Sequence, residues 1–311
     1  MPHLVAAMMG ARNDHGQARE QEREKPREHY HERVPAMPPL LSDFDIQLHL
    51  LLEGVFLKYQ HDFRNYTRSS LRRRVQQAME HFGCTTVSGL QDKVLNDAEL
   101  FGRMLQFFTV QHSEMFRDPQ HFRLLADEVL PMLATYPSIK VWVAGCSSGE
   151  EVWSLAILLH EQGLLERSVI YATDINAQAL RAAESGIYAT SRIAQFSTSY
   201  LEAGGRRSLS DYYHAAYDKA VFDRDLRRHM VFADHSLATD NVFSEVHLVS
   251  CRNVLIYFDR RLQDRALRLF RESLVPRGYL SLGSKESLAF SEHGDAFAPL
   301  HAEQRIYQLR T

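Results

Sequence analysis

The sequence predicts an α/β protein with a mostly parallel sheet, preceded by an all-α module and interrupted by a small antiparallel insert. Three observations carry this. From about residue 139 onward, apolar strand-like runs alternate with helical segments, the pattern of a sheet covered by helices on both faces. Residues 43–108 show helical periodicity alone. Between Gly186 and Arg228 the alternation lapses, and DYYHAAYDKAVFDRDL (211–226) reads as two or three short antiparallel strands.

Taken in order, residues 1–40 form a separate regime. GARNDHGQAREQEREKPREHYHERVPAMPP is polar and mixed in charge, too poor in apolar surface to offset its ordering entropy, so a disordered tail is predicted. His29 and His31 alternate in that tail as solvated side chains, and no metal site is expected. In 41–108, Ser42 or Asp43 can cap a helix with apolar Ile46, Leu48, Leu51, Leu52, Val55 and Phe56. A second helix near 67–82 turns Leu71, Val75, Ala78, Met79 and Phe82 inward, with Arg68, Arg72, Arg73 and Arg74 on or beside the opposite face and Gly83 as its stop. Thr86 or Ser88 starts a third helix, and 97–108 supplies a fourth. Residues 109–130 are expected as a linker helix carrying SEMFRDP, and 131–311 as the α/β domain with its insert at about 189–230.

Bulk properties narrow the function classes. The net charge of −3 supplies no global field toward nucleic acid or an anionic membrane, so electrostatic recognition must be local. Cys84, Cys146 and Cys251 form no C-x-x-C pair, which suits a reducing compartment. No apolar run approaches the roughly 18–20 residues that span a bilayer. A cytoplasmic location is the expectation.

In an open α/β sheet, ligands bind beyond the carboxyl ends of the strands near the switch in strand order. The turn Gly145-Cys146-Ser147-Ser148-Gly149 joins a strand to a helix, and its glycines allow close backbone approach. Glu150 and Glu151 follow in the first helical turn. There they suit the helix dipole, and they would also repel a pyrophosphate. S-adenosylmethionine, cationic and free of phosphate, fits this turn better than a dinucleotide. Asp174, ending the next strand, is placed to accept from ribose hydroxyls, or else to cap the following helix.

Four stretches then resemble the chemotaxis receptor glutamate methyltransferases, the CheR family: SEMFRDPQHF (113–122), GCSSGEEVWSLA (145–156), ATDINAQAL (172–180) with SGIY (185–188), and SCRNVLIYFD (250–259). The resemblance spans roughly 43–311. It implies a helical N-terminal domain and a class I, Rossmann-like methyltransferase domain with an inserted antiparallel subdomain. It further implies methyl transfer from S-adenosylmethionine to receptor glutamates, leaving S-adenosylhomocysteine. Arg117 and Tyr257 would line the meeting place of donor and acceptor. Ser113, Arg117, Gly145, Cys146, Glu150, Glu151, Asp174, Ser236, Leu237, Asn253 and Val254 would hold the cofactor. The chain departs from the family pattern at Ser236 (usually Asn), Ser113 (usually Thr), Trp153 (usually Tyr) and Lys285, which interrupts a Ser-Glu pair.

The chemistry is consistent with these residues. A glutamate carboxylate is already ionised at neutral pH, so positioning rather than a general base is needed, and Arg117 can orient it through two parallel hydrogen bonds. Arg117 as a linker salt bridge and Tyr257 as a core aromatic are the structural alternatives. Arg68, Arg72 and Arg73 would dock on the cytoplasmic helical domain of a receptor, or simply be solvated. YYHAAYDKAVFD (212–223) lacks the glycine-rich loop of relatives that tether to a receptor's terminal pentapeptide, so no tether is expected. The expected enzyme is monomeric and peripheral at receptor arrays, without nucleic-acid partners. A nucleic-acid methyltransferase and a cofactor-binding signalling or scaffold protein without turnover are the competing readings.

Overall fold

Residues 41–109, 113–289 and 291–310 are described by the computed structural model; the tail with His29 and His31 lies outside them. Ser42 caps helix α1 (Asp43–Tyr59) by accepting from the Asp45 N–H. Helix α2 (Arg68–His81) ends where Gly83 takes φ 62 and the Cys84 N–H returns to the Met79 carbonyl. Thr86 caps α3 (Val87–Asn96) and Asp97 caps α4 (Ala98–Phe108). Leu51, Val55, Leu71, Val75, Leu90, Met104 and Phe108 fill the core between these four. Two residues differ from expectation. Ile46 is 46% exposed, because it lies two residues from Leu48, about 200° round the helix. Arg74 is buried at 3% exposure, since it stands three residues after Leu71 and shares the inward face.

The expected linker helix is shorter than predicted. Ser113–Asp118 is an irregular turn in which Phe116 and Asp118 have φ of 51 and 60. The helix begins with Pro119, where a missing N–H costs nothing, as α5 (Pro119–Leu124). It widens into a π-helical turn (Leu125–Val129) and closes as α6 (Leu130–Leu133). Pro131 lies just beyond the widened turn; it cannot donate, and its ring would crowd the carbonyl four residues earlier.

The sheet has seven strands in the order β6-β2-β1-β7-β8-β10-β9, namely β6 (Met230–Asp234), β2 (Ser168–Asp174), β1 (Ile139–Ala144), β7 (Val246–Cys251), β8 (Leu274–Leu282), β10 (Ile306–Leu309) and β9 (Phe297–His301). The first five run parallel, β10 pairs antiparallel with β8, and β9 pairs antiparallel with β10. On β1, Val141 and Val143 face one core while Trp142 and Ala144 face the other. That burial on both sides is why the strand reads as a continuous apolar run. Helices α7 (Glu150–Glu161) and α8 (Ala177–Ser185) and the helix Arg260–Ser273 fall in the predicted alternation. From β1 the chain moves outward to β2 and β6, then returns to the other side of β1 as β7. The switch point, and with it the ligand crevice, lies at the carboxyl ends of β1 and β7.

The insert is a three-stranded antiparallel sheet, β3-β5-β4, of β3 (Ile187–Ala189), β4 (Tyr213–Ala216) and β5 (Lys219–Phe222). Helix α9 (Thr190–Glu202) lies within it and was not expected, although Ile193, Phe196 and Tyr200 recur at helical spacing and are buried. Strand β9 was also missed; it carries Pro299, tolerated because the strand is an edge.

Gly186, which turns the chain from α8 into the insert, has φ 60, and a Cβ there would lie 2.3 Å from the Trp153 ring. Gly163 has φ 67 with nothing within 4 Å of such a Cβ. Gly163→Ala is therefore expected to cost about 1 kcal/mol, the left-handed backbone term alone. Gly186→Ala should cost at least about 2 kcal/mol more through overpacking. Urea denaturation of the two variants separates the terms; equal losses would contradict the packing of Trp153 against this turn.

Candidate active site

The carboxyl ends of β1, β2, β6 and β7 open into one cleft, roofed by residues of the helical module. Ser113, Arg117, Gly145, Cys146, Glu151, Asp174, Ser236, Leu237, Asn253, Val254 and Tyr257 all line it. His61, Asp62, Tyr66, Arg74, Phe108 and Thr109 contribute from the helical side.

The Gly145 turn is tied to the next strand. The Gly145 and Cys146 N–H groups donate to the Thr173 carbonyl at 2.8 and 2.9 Å, and the Ser147 N–H donates to Asp174 Oδ2 at 2.9 Å. Asp174 Oδ1 accepts from the Asn176 N–H at 2.9 Å. Burial pushes the Asp174 carboxyl above the ordinary carboxylate range, against the pull of these donors. A Cβ on Gly145 would stand 2.6 Å from Val254 Cγ2, so this position admits no side chain while the 253–257 loop keeps its place. The Ser236 hydroxyl accepts from the Ala238 N–H at 3.3 Å and the Ser236 N–H donates to Asp240 at 2.9 Å, leaving a short side chain at the cleft wall.

Glu150 requires a correction. It is wholly buried and does not line the cleft; Arg192 Nη1 meets it at 2.6 Å and the Ser148 hydroxyl at 2.7 Å. Arg192 also donates to the Ser113 carbonyl. Successive helical residues are about 100° apart, so Glu151 faces the cleft while Glu150 faces the interior and steadies Ser113 from behind. Of the three arginines expected to dock a partner, Arg68 and Arg73 are exposed on α2. Arg72 is engaged within the chain, 2.6 Å from Asp45 and stacked on Phe44.

Sequence reasoning missed two buried cations. Arg252, with its side chain 2% exposed, donates to the Arg117 carbonyl at 2.9 Å and to Asp118 at 2.7 Å. Its other terminal nitrogen lies 3.2 Å from Glu151. It thereby fastens the Arg117 turn to the start of α7. The available signal was a charge inside the apolar run EVHLVSCRNVLIYF, which must be paired if buried. Arg74 donates to the Phe108 carbonyl and lies over the Tyr257 ring, 4.5 Å from its centroid.

The helical module reaches this loop through its backbone as well. The Thr67 N–H donates to the Tyr257 carbonyl at 2.9 Å and the Asp259 N–H to the Asn65 carbonyl at 2.8 Å. Tyr66 packs edge-on against Phe258. Lys285, which interrupts the expected Ser-Glu pair, is exposed and leaves Glu286 buried. Trp153 is buried and donates to the Ala183 carbonyl at 3.0 Å. Among the described residues no group of three or more His, Cys, Asp or Glu side chains is arranged to hold a metal ion, and no helix is long and apolar enough to cross a membrane.

Known proteins match this arrangement over nearly the whole described chain. Residues 111–306 match the CheR methyltransferase S-adenosylmethionine-binding domain, and residues 46–109 match the CheR all-alpha domain. A Pseudomonas putida protein named methyltransferase Cher3 is 57% identical over 85% of this chain and 97% of its own length. Chemotaxis protein methyltransferase 1 of Vibrio cholerae is 32% identical over 70% of this chain and 80% of its own. The chemotaxis protein methyltransferase of Listeria monocytogenes is 28% identical over 73% and 84% respectively.

Replacing Arg252 by Met is expected to cost about 3–5 kcal/mol, the penalty for stranding a buried ionic partner. Chemical denaturation checks this; a loss under about 1 kcal/mol would place Arg252 among weak surface pairs instead.

Proposed function

The chain belongs to the CheR methyltransferase family and is an S-adenosylmethionine-dependent methyltransferase, and from that premise we propose that it esterifies glutamate side chains on the cytoplasmic helical region of a chemoreceptor. Relatives named chemotaxis protein methyltransferases support the receptor as acceptor. The observation that carries the ester chemistry is the presence of Arg117 and Tyr257 in the same cleft as the Gly145 turn and Asp174.

The residues present fit the cofactor. Glu151 and Asp174 offer carboxylates to a ligand with an ammonium, a sulfonium and ribose hydroxyls, while Ile175, Leu237, Ala238 and Val254 offer apolar surface to its adenine. When bound, S-adenosylmethionine supplies an electrophilic methyl group. Asp174 would accept from the ribose hydroxyls, Ser236, Leu237, Asn253 and Val254 would flank the adenosyl moiety, and Ser113, Gly145 and Cys146 would border the donor's other end.

A glutamate carboxylate, with a free pKa of about 4.3, arrives ionised. The chain's work is therefore alignment and exclusion of water. Arg117 positions the carboxylate through its forked N–H groups; gripping too strongly would weaken the nucleophile, so its contribution is orientation. The Tyr257 hydroxyl donates to the acceptor or walls it from solvent. Arg68 and Arg73, with Arg72 beside them, form the docking face for an acidic receptor helix. The β4–β5 turn places Tyr217 at φ 56 where a glycine would be easiest, and we expect the enzyme to work without a pentapeptide tether, as a monomer at the receptor array.

Wild-type protein, labelled S-adenosylmethionine and receptor-containing membranes should give label released as methanol by mild base. Arg117→Ala should lower kcat/KM by about 100-fold or more, the scale of a misplaced reactant. Base-stable label would exclude an ester, and transfer to no receptor would leave a cofactor-binding signalling protein.

Asp174 adds a pH dependence. Its ionised form is the better acceptor, and its raised pKa means that form is lost at a higher pH than for an exposed aspartate. Affinity for S-adenosylhomocysteine should accordingly fall as pH drops through that value. Asp174→Asn should bind about tenfold more weakly, a loss of about 1.4 kcal/mol, with a flatter pH profile in calorimetry. Titration of a receptor-terminal pentapeptide should give no appreciable heat; clear binding would overturn independence from the tether.

A further inference from the structure

Glu286 follows β8 in the turn Gly283-Ser284-Lys285-Glu286 and is 3% exposed although Ser284 and Lys285 are open to solvent. Its carboxylate gathers backbone N–H groups from two separate segments. Oε2 accepts from Gly283 at 2.6 Å and from Asn253 at 3.0 Å. Oε1 accepts from Val254 at 2.8 Å, Leu255 at 2.6 Å and, more loosely, Ile256 at 3.4 Å. Four consecutive amides thus converge on one anion at the entry to the short 3-10 turn Leu255–Tyr257, where such groups have no partner within the turn itself.

The same few residues are those the site depends on. Asn253 is held at φ 62, a left-handed conformation rarely stable without local support. Val254 abuts the Gly145 turn, and Tyr257 lies in the cleft beneath Arg74. We infer that Glu286 is the positioning residue of the 253–257 loop, setting Asn253 and Val254 on the cofactor side and Tyr257 on the acceptor side in fixed register with the Gly145 turn. The inference rests on the roles proposed above for those three residues. Glu286 itself does not line the cleft.

An anion is suited to this task in a way an amide is not. Charge-assisted hydrogen bonds to N–H groups are shorter and stronger than neutral ones. Glutamine would keep one accepting oxygen and turn its NH₂ toward amides that also donate. Burial pushes the Glu286 carboxyl up, while the backbone donors of Gly283, Asn253, Leu255 and Val254 pull it back down. The fit is close: a Cβ on Gly283 would stand 2.8 Å from the Asn253 nitrogen and 2.9 Å from Glu286 Oε2.

The test uses the full chain and two variants, Glu286→Gln and Glu286→Asp, with amide hydrogen exchange and S-adenosylhomocysteine titration as readouts. For Glu286→Gln, exchange in the 253–257 peptide should quicken by about tenfold or more and S-adenosylhomocysteine affinity should fall by about tenfold. Exchange in β1, β7 and β8 should stay as in the wild type. Glu286→Asp keeps the charge on a shorter stem and should fall between; it carries the test alone if the glutamine variant does not fold. Two results would overturn the inference. One is a folded variant whose loop exchange and affinity stay within about twofold of wild type. The other is faster exchange shared equally by β7 and β8, which marks a general loss of stability. Neither readout needs a receptor. A wild type that makes no base-labile ester, with variants that still loosen the loop and the cofactor, would therefore sink the ester reading and leave this one standing.

Discussion

Arg252 is the interaction on which the two halves of the site depend. Its guanidinium has left water almost completely, a transfer that is costly unless the charge is paired and hydrogen-bonded. The partners it finds are Glu151 at the start of α7, Asp118, and the carbonyl of Arg117. One cation thus ties the cleft-lining Glu151 to the backbone of the residue expected to orient the acceptor. A surface arginine would leave both segments independent, and the turn with Phe116 and Asp118 at positive φ would lack a strong anchor.

A common physical device recurs around the cleft. The Asp174 and Glu286 carboxylates each accept from backbone N–H groups of two loop segments. Together with Arg252 they convert flexible connections into fixed walls without adding to the apolar core. This is the preorganisation that alignment-limited chemistry requires. On the proposed reading the acceptor carboxylate needs no activation, so rate must come from geometry.

Much of the fold could be read from periodicity. The run VWVA could be placed in a doubly covered strand because both of its faces are apolar, whereas Asn253 and Val254 of SCRNVLIYFD could be placed at the cofactor site by family resemblance. What escaped had specific causes. Arg74 stands among four arginines on α2, and only its three-residue spacing from Leu71 distinguishes a buried guanidinium from solvated neighbours. Glu150 and Glu151 are chemically equal in sequence, and the helical rotation between them decides which one meets a ligand. Helix α9 was hidden by the tyrosine-rich hairpin beside it, and Glu286 by the absence of any short-range signal that a carboxylate will collect amides from residues 253–256.

The pair of backbone hydrogen bonds joining Asn65 and Thr67 to Asp259 and Tyr257 has a consequence for how such proteins can be recombined. A helical module that merely packed on its neighbour could be exchanged between relatives at the 109–113 junction. Here the loop bearing Tyr257 borrows a strand partner from the module, and its tyrosine is covered by an arginine from α2. The functional seam runs through the loop rather than along the chain boundary. A chimera that keeps the cleft wall intact must transplant residues 250–259 together with the helical module.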